Sequence, residues 1–394
     1  MMQRMSAPSL LHWQAASGPQ QALWRSENGS PAPRRVVLAD DTLSADRAYR
    51  LACEGTAMLW QGDFQNARQL LQAMARRADR PVRKKTPVDV SVLSPHERFH
   101  LHRQAQAQGA RTLAMLLIPL HADHSIALRR APDLRLACQE AWGDCNGQGS
   151  VTSLRELLGV VGAHEWRKKG VEISALGPAP RNRIHAHYGV FSPVRGEYVQ
   201  LVAQAPLPKP TEVAFDIGVG SGVLSAVLAR RGVARIVATD TSARALACAE
   251  DNLQRLGLST QVELQATAFF PQGKANLIVC NPPWVPARPQ SPLEQAVYDD
   301  QSQMLKGFLA GVRAHLLPGA EAWLILSDLA EHLGLRSRAE LLQWMQAGGL
   351  SVIQRLDTRP QHGKSQDPDD PLHAARAAEV TSLWRLRAQN EALA

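Results

Sequence analysis

At 394 residues with 45% hydrophobic content, the chain exceeds the ~250–300 residues that a single core usually holds, so two folded domains are expected. Its longest apolar run, Leu113 to Leu120, falls far short of the ~18 residues of a membrane span, and Met1 to Arg25 has neither the apolar stretch nor the cleavage site of a secretory signal. A cytoplasmic protein without a membrane partner is the expectation. The formal charge of +8 favours approach to phosphate-rich partners, while the cysteines (Cys53, Cys138, Cys145, Cys248 and Cys280) include no Cys-x-x-Cys pair and read as reduced thiols rather than a metal centre.

In chain order, Asn28 to Arg35 is rich in Ser, Pro and Gly and reads as a surface loop. From Ser44, apolar residues from Ala48 to Met74 recur mostly at three- and four-residue spacings, which predicts two amphipathic helices separated near Gly62. The basic run Arg76 to Lys85 follows, either a solvated loop or an edge that contacts phosphates. Ser94-Pro95-His96-Glu97 announces a helix to about Ala114, with Ser94 as N-cap and Glu97 closing a capping box. Gly143 to Gly149 is turn-rich and precedes a short helix from Ser153 to Gly159. These elements predict a mainly helical N-terminal domain over residues 1–180, suited to gripping a substrate.

His96-Glu97-Arg98-Phe99-His100 matches the His-Glu-x-x-His pattern of zinc hydrolases, in which two histidines on one helical face bind metal. Glu97 already has a capping role, and a third ligand is not evident, Glu140 and His121 being the nearest candidates in type. No metal is expected.

From Thr211 the texture changes to alternating strands and helices. Strands are predicted at Glu212–Ile217, Arg235–Thr239, Gln261–Thr267, Asn276–Cys280, Glu321–Ser327, Leu350–Leu356 and Glu379–Leu386. Helices are predicted at Ser221–Arg231, Ser242–Leu256 and Asp300–Leu317, the last ended by Pro318-Gly319. Such alternation implies an α/β domain over residues 181–394 with a Rossmann-like, seven-stranded, mostly parallel sheet and helices on both faces.

Asp216-Ile217-Gly218-Val219-Gly220-Ser221-Gly222 lies where the first of these strands turns into a helix, and its glycines let the backbone approach a ligand closely. A dinucleotide fingerprint would place its third glycine where Val223 stands, and no lysine follows as in a phosphate-binding P-loop. Asp240 ends the second strand, where a carboxylate can accept hydrogen bonds from both hydroxyls of a ribose. Asn281-Pro282-Pro283-Trp284 follows the fourth strand. An exocyclic amine or amide is a poor nucleophile because its lone pair is delocalised, so its two hydrogens must be held. The Asn281 side-chain oxygen and the Pro282 carbonyl can each accept one, Pro282 and Pro283 stiffen the backbone, and Trp284 offers a flat face to a planar substrate. Substitution at such a nitrogen depends mainly on positioning.

The Asp-x-Gly-x-Gly-x-Gly loop, Asp240 and Asn281-Pro282-Pro283-Trp284 together resemble class I S-adenosylmethionine-dependent methyltransferases with an Asn-Pro-Pro-aromatic motif, of the methyltransferase small domain type. These include HemK/PrmC-like release-factor glutamine methyltransferases and RNA methyltransferases that modify adenine or guanine. The resemblance covers roughly Arg183 to Leu386. It implies S-adenosyl-L-methionine as cofactor, with Gly218, Gly220 and Gly222 approaching the methionine part, Asp216 ordering the loop or the amino group, and Asp240 holding the ribose. Relatives often carry an acidic residue after the third strand to reach adenine. Thr267-Ala268-Phe269-Phe270 stands here, leaving backbone or stacking by Phe269. His187 to Tyr198 resembles the segment that closes over the methionine end, and Arg359 to Ala378 is a polar insertion that either lines the substrate cleft or is solvated. The expected substrate is an amino nitrogen in RNA (rRNA or tRNA); the alternatives are a protein glutamine and a binding protein without catalysis.

Overall fold

The computed structural model describes residues 9–79, 92–144, 147–291, 293–360 and 367–389. Arg80, Arg83, Lys84 and Lys85 of the basic run, and Cys145, lie outside these residues. The chain forms two compact units, Met1–Val92 with His100–Glu165, and Leu93–Phe99 with Trp166–Ala394.

The first unit corrects the expectation of a mainly helical domain, because its centre is a six-stranded sheet. The strands are β1 (Leu10–Ala15), β2 (Gly18–Trp24), β3 (Arg35–Ala39), β4 (Thr56–Trp60), β5 (Leu116–Leu120) and β6 (Ser150–Ser153), in the order β1-β2-β6-β5-β4-β3. Strands β3, β4 and β5 run parallel, β6 is antiparallel to β5, and β1 and β2 form a hairpin. Helices α1 (Ala45–Cys53), α2 (Phe64–Ala78), α3 (Pro95–Leu113), α4 (Arg135–Trp142) and α5 (Leu154–Lys169) accompany them. The reason for the misreading is visible in β4. Met58 and Trp60 point into a core with Phe64, Met74 and Leu154, while Ala57 and Leu59 point into a second core with Leu11 and Leu117. A strand buried on both faces is a continuous apolar run that carries no two-residue alternation, so Leu59 blends into the helical spacing on either side. The capping box at the start of α3 is present: Glu97 accepts from the Ser94 amide at 2.8 Å and from its hydroxyl at 2.7 Å, and the Glu97 amide donates to Ser94 Oγ. Glu140 is held by His164 Nδ1 at 2.8 Å.

The second unit begins with a short ribbon, β7 (Val171–Glu172) with β8 (Arg183–Ile184), and α6 (Glu197–Gln204). Its main sheet contains β9 (Val213–Ile217), β10 (Arg235–Asp240), β11 (Val262–Ala266), β12 (Ala275–Cys280), β13 (Leu316–Ser327), β14 (Leu350–Thr358) and β15 (Thr381–Ala388), ordered β11-β10-β9-β12-β13-β15-β14. All pairings are parallel except those of β15 with β13 and β14. Helices α7 (Val223–Arg230) and α8 (Ala243–Leu256) join α6 in a core on one face. The other face is covered by α9 (Gln303–Gly311) and α11 (Arg338–Ala347), with α10 (Leu329–His332) between them in sequence and α12 (His373–Ala378) before β15. The single helix expected over Asp300–Leu317 is broken into α9 flanked by 3₁₀ turns, and Pro318-Gly319 sits within β13 rather than before it. The register with β12 slips there, so the two residues form an irregularity in the strand, with Gly319 at φ +76°. Within the insertion, α12 is tied by an Arg376–Asp370 ion pair at 3.0 Å.

Candidate active site

Sheet register assembles the site. Cys280 at the end of β12 pairs with Ile217 at the end of β9, so Asn281 and Gly218 leave neighbouring parallel strands side by side. Thr239 at the end of β10 pairs with Ile217 on the other flank, which puts Asp240 beside the same loop. Three strand ends thus bring together the glycine loop, Asp240 and the tetrapeptide, at the carboxyl edge where open α/β sheets bind ligands.

The loop is held from β10. The amides of Gly218 and Val219 both donate to the Thr239 carbonyl at 2.9 Å, and the Gly220 amide donates to Asp240 Oδ2 at 3.1 Å. Gly218, Gly220 and Gly222 have φ values of +80°, +52° and +80°, a region that side chains other than glycine resist. A Cβ on Gly218 would lie 2.8 Å from Met304 Cε, and one on Gly222 would press on the Ala249 backbone at 3.2 Å. Met304 lies in the first turn of α9, whose amides are capped by buried Asp299: Met304 N and Leu305 N donate to its carboxylate at 3.0 and 3.1 Å.

Asp240 is half-buried and accepts from two backbone amides, Gly220 on Oδ2 and Ser242 on Oδ1 at 2.9 Å. No cation is paired with it among the described residues, and its oxygens retain lone pairs for further donors. Asp216 is buried beneath the loop and accepts from the Ser225 hydroxyl at 2.6 Å. Burial pushes its carboxyl up to about 6, outweighing the Ser225 hydrogen bonds, with the nearby Asp240 charge adding to the rise.

Asn281 Oδ1 accepts from the Trp284 indole Nε1 at 2.8 Å. Trp284 is half-buried, meets Tyr198 of α6 edge-on at 6.5 Å and 85°, and accepts from Arg336 at its backbone carbonyl at 3.4 Å. Pro282 is buried and Pro283 partly so.

Residues 181–333 are similar to the methyltransferase small domain family. The match is confined to that segment of the chain. Its relatives include a release factor glutamine methyltransferase from Cereibacter sphaeroides, 30% identical over 171 residues, covering 40% of this chain and 60% of the relative. A tRNA1(Val) (adenine(37)-N6)-methyltransferase from Shewanella putrefaciens is 28% identical over 186 residues, covering 43% of this chain and 72% of that one. A ribosomal RNA small subunit methyltransferase C from Alcanivorax borkumensis is 32% identical over 143 residues, covering 35% and 40%. The chain therefore spans about three fifths of the length of the first of these relatives.

The small domain draws on residues that the motifs did not reveal. Thr239 joins the ends of β10 and β11: its carbonyl takes two loop amides, and its hydroxyl donates to the Phe269 carbonyl at 2.6 Å. Phe269 has φ +60°, and its ring stacks on Phe270 and packs at the α9 core, so its backbone is fixed and its ring shared with the interior. Asn252 of α8 ties the glycine loop to the segment that precedes β9, donating to the Ser221 carbonyl at 3.0 Å and accepting from the His185 amide at 2.7 Å. Between His187 and Tyr198, His187 reaches Asp251 at 3.1 Å, Arg244 lies over the Tyr188 ring at 5.6 Å, and Tyr198 enters α6. The sequence signal for Thr239 and Asn252 was weak because both are single polar residues inside otherwise ordinary elements.

Among the described residues, no group of three His, Cys, Asp or Glu side chains is placed to hold a metal ion, and no helix is long and apolar enough to cross a membrane.

Proposed function

We propose that this protein is an N-methyltransferase that takes its methyl group from S-adenosyl-L-methionine and acts on a planar amino nitrogen of a nucleobase in rRNA or tRNA. The observation that carries this reading is the pairing of Cys280 with Ile217, which sets the Asn281 acceptor next to the glycine loop. The residues fit the cofactor. The glycine loop holds Gly218 at φ +80°, a conformation that side chains rarely adopt, Asp240 keeps acceptor capacity, and buried Asp216 underlies the loop. Gly218, Gly220 and Gly222 would take the methionine part, Asp240 the ribose, and Phe269 the neighbourhood of adenine. When bound, the cofactor supplies an activated methyl group on a positively charged sulfur.

The protein's own part is to orient the acceptor. Asn281 Oδ1 and the Pro282 carbonyl each accept one hydrogen of the NH₂ group, which turns the nitrogen toward the methyl donor, and the proton released on transfer passes to solvent. The acceptor class rests on the tetrapeptide, on the basic balance of the chain and on relatives whose names specify tRNA and ribosomal RNA. We assign residues 1–180 to substrate recognition and place the reaction in the cytoplasm. A second reading, methylation of a protein glutamine, is favoured by the relative from Cereibacter sphaeroides, because an amide presents the same planar NH₂ geometry.

The test is to incubate the full chain with tritiated S-adenosylmethionine and separated RNA and protein fractions. Label in RNA supports the first reading, label in protein the second, and label in neither contradicts both.

A further inference from the structure

The tetrapeptide carries tryptophan in a slot whose obvious use is stacking, yet the indole is already committed through its edge. We infer that Trp284 is a positioning residue whose N–H fixes the acceptor oxygen of Asn281; this rests on the N-methyltransferase reading above.

An asparagine amide can present either its oxygen or its nitrogen to a neighbour. An indole N–H only donates, so the 2.8 Å contact between Trp284 Nε1 and Asn281 Oδ1 decides which end faces the ring. The amide oxygen has two lone pairs. The indole takes one, and the other is left for a hydrogen of the substrate's NH₂ group. Trp284 can set this direction because it is itself held: its ring meets Tyr198 at 6.5 Å and 85°, its carbonyl accepts from Arg336 at 3.4 Å, and it packs beside buried Val285 and Leu333. Arg336 is 4% exposed and reaches the Ser327 carbonyl at the end of β13 with its other nitrogen, at 3.5 Å. A path of contacts therefore runs from β13 through Arg336 and Trp284 to the acceptor at the end of β12. Phenylalanine at this position keeps a stacking face and loses the donor.

The experiment replaces Trp284 in the full chain with 3-benzothienylalanine, which preserves the bicyclic outline and puts sulfur in place of N–H, alongside Trp284→Phe. With tritiated S-adenosylmethionine and whichever fraction takes label, kcat should fall roughly tenfold in both variants, the equivalent of one lost hydrogen bond, while cofactor Kd holds. Full kcat in the benzothienyl protein overturns the positioning role and leaves the function intact. Transfer at the undiminished wild-type rate in Asn281→Ala overturns the N-methyltransferase reading instead. A second arm uses indole ¹⁵N labelling: the Trp284 Nε1 hydrogen should exchange slowly in the wild type and quickly in Asn281→Ala. Fast exchange in the wild type also overturns the proposal.

Discussion

Both units place an aspartate where a buried strand gives way to a helix, and the two aspartates are used in opposite ways. In the first unit, Asp63 follows β4 and caps α2, its carboxylate wholly buried and gripped by Arg129 Nε at 3.0 Å and Arg130 Nε at 2.6 Å. The Arg130 guanidinium, aided by the Gln65 amide and by Arg129, holds its carboxyl down at about 2. In the second unit, Asp240 ends β10 and is met by two backbone amides, with no arginine paired to it among the described residues. An acid closed off by cations is a structural tie. An acid held only by amides stays available to a ligand.

That contrast can be broken by substitution. The largest effect is expected from Asn281→Ala, which should slow methyl transfer by about 10²–10³-fold, the loss seen when a fixed polar group at a reacting centre is removed. Calorimetric titration should find the cofactor Kd nearly unchanged in that variant. Asp240→Ala should weaken cofactor Kd by roughly 10–100-fold, as for hydrogen bonds to a charged group; an unaltered Kd would remove Asp240 from the ribose role. The pH dependence of cofactor binding should follow Asp216. Its folded carboxyl titrates near 6, above the ordinary value, so between about 4 and 6 the cofactor-free protein holds a proton that the unfolded chain does not, and its stability falls as pH rises through that window. If the cofactor's positive charge favours the carboxylate, binding expels this proton, and affinity should drop about tenfold per pH unit below 6. Asp216→Asn should flatten the profile. The smallest effect on the cofactor is expected from Asp63→Asn: its Kd should not move, while thermal unfolding of the first unit shifts to lower temperature.

The second unit was far more legible in sequence than the first. Its strands are bounded by informative residues: glycines after Ile217, Asp240 after Thr239, Asn281 after Cys280. Each helix between them begins or ends on a recognisable cap, such as Ser242, whose hydroxyl accepts from Ala245 N, or Gly257, in the left-handed region. The helices of the first unit are capped, by Ser44 and Asp63, but its strands carry no such punctuation. Leu10–Ala15 and Gly18–Trp24 mix His, Trp and Gln on a hairpin with one well-buried residue in β1, and Leu116–Leu120 contains a proline that only sheet context accommodates. At the site, the motif residues were legible because glycine, proline and asparagine carry their chemistry in their names. The Asn281–Trp284 hydrogen bond was not, since the sequence suggests a free stacking face where folding supplies a donor.

If the tetrapeptide reads a planar NH₂ group, the position of the transferred methyl must show it. Labelled RNA or protein from the wild-type reaction would be digested to nucleosides or amino acids and resolved by mass spectrometry. Methyl is expected on an exocyclic amino nitrogen of a base, or on the side-chain amide nitrogen of glutamine in the second reading. A methyl found on carbon or on a hydroxyl oxygen would contradict it.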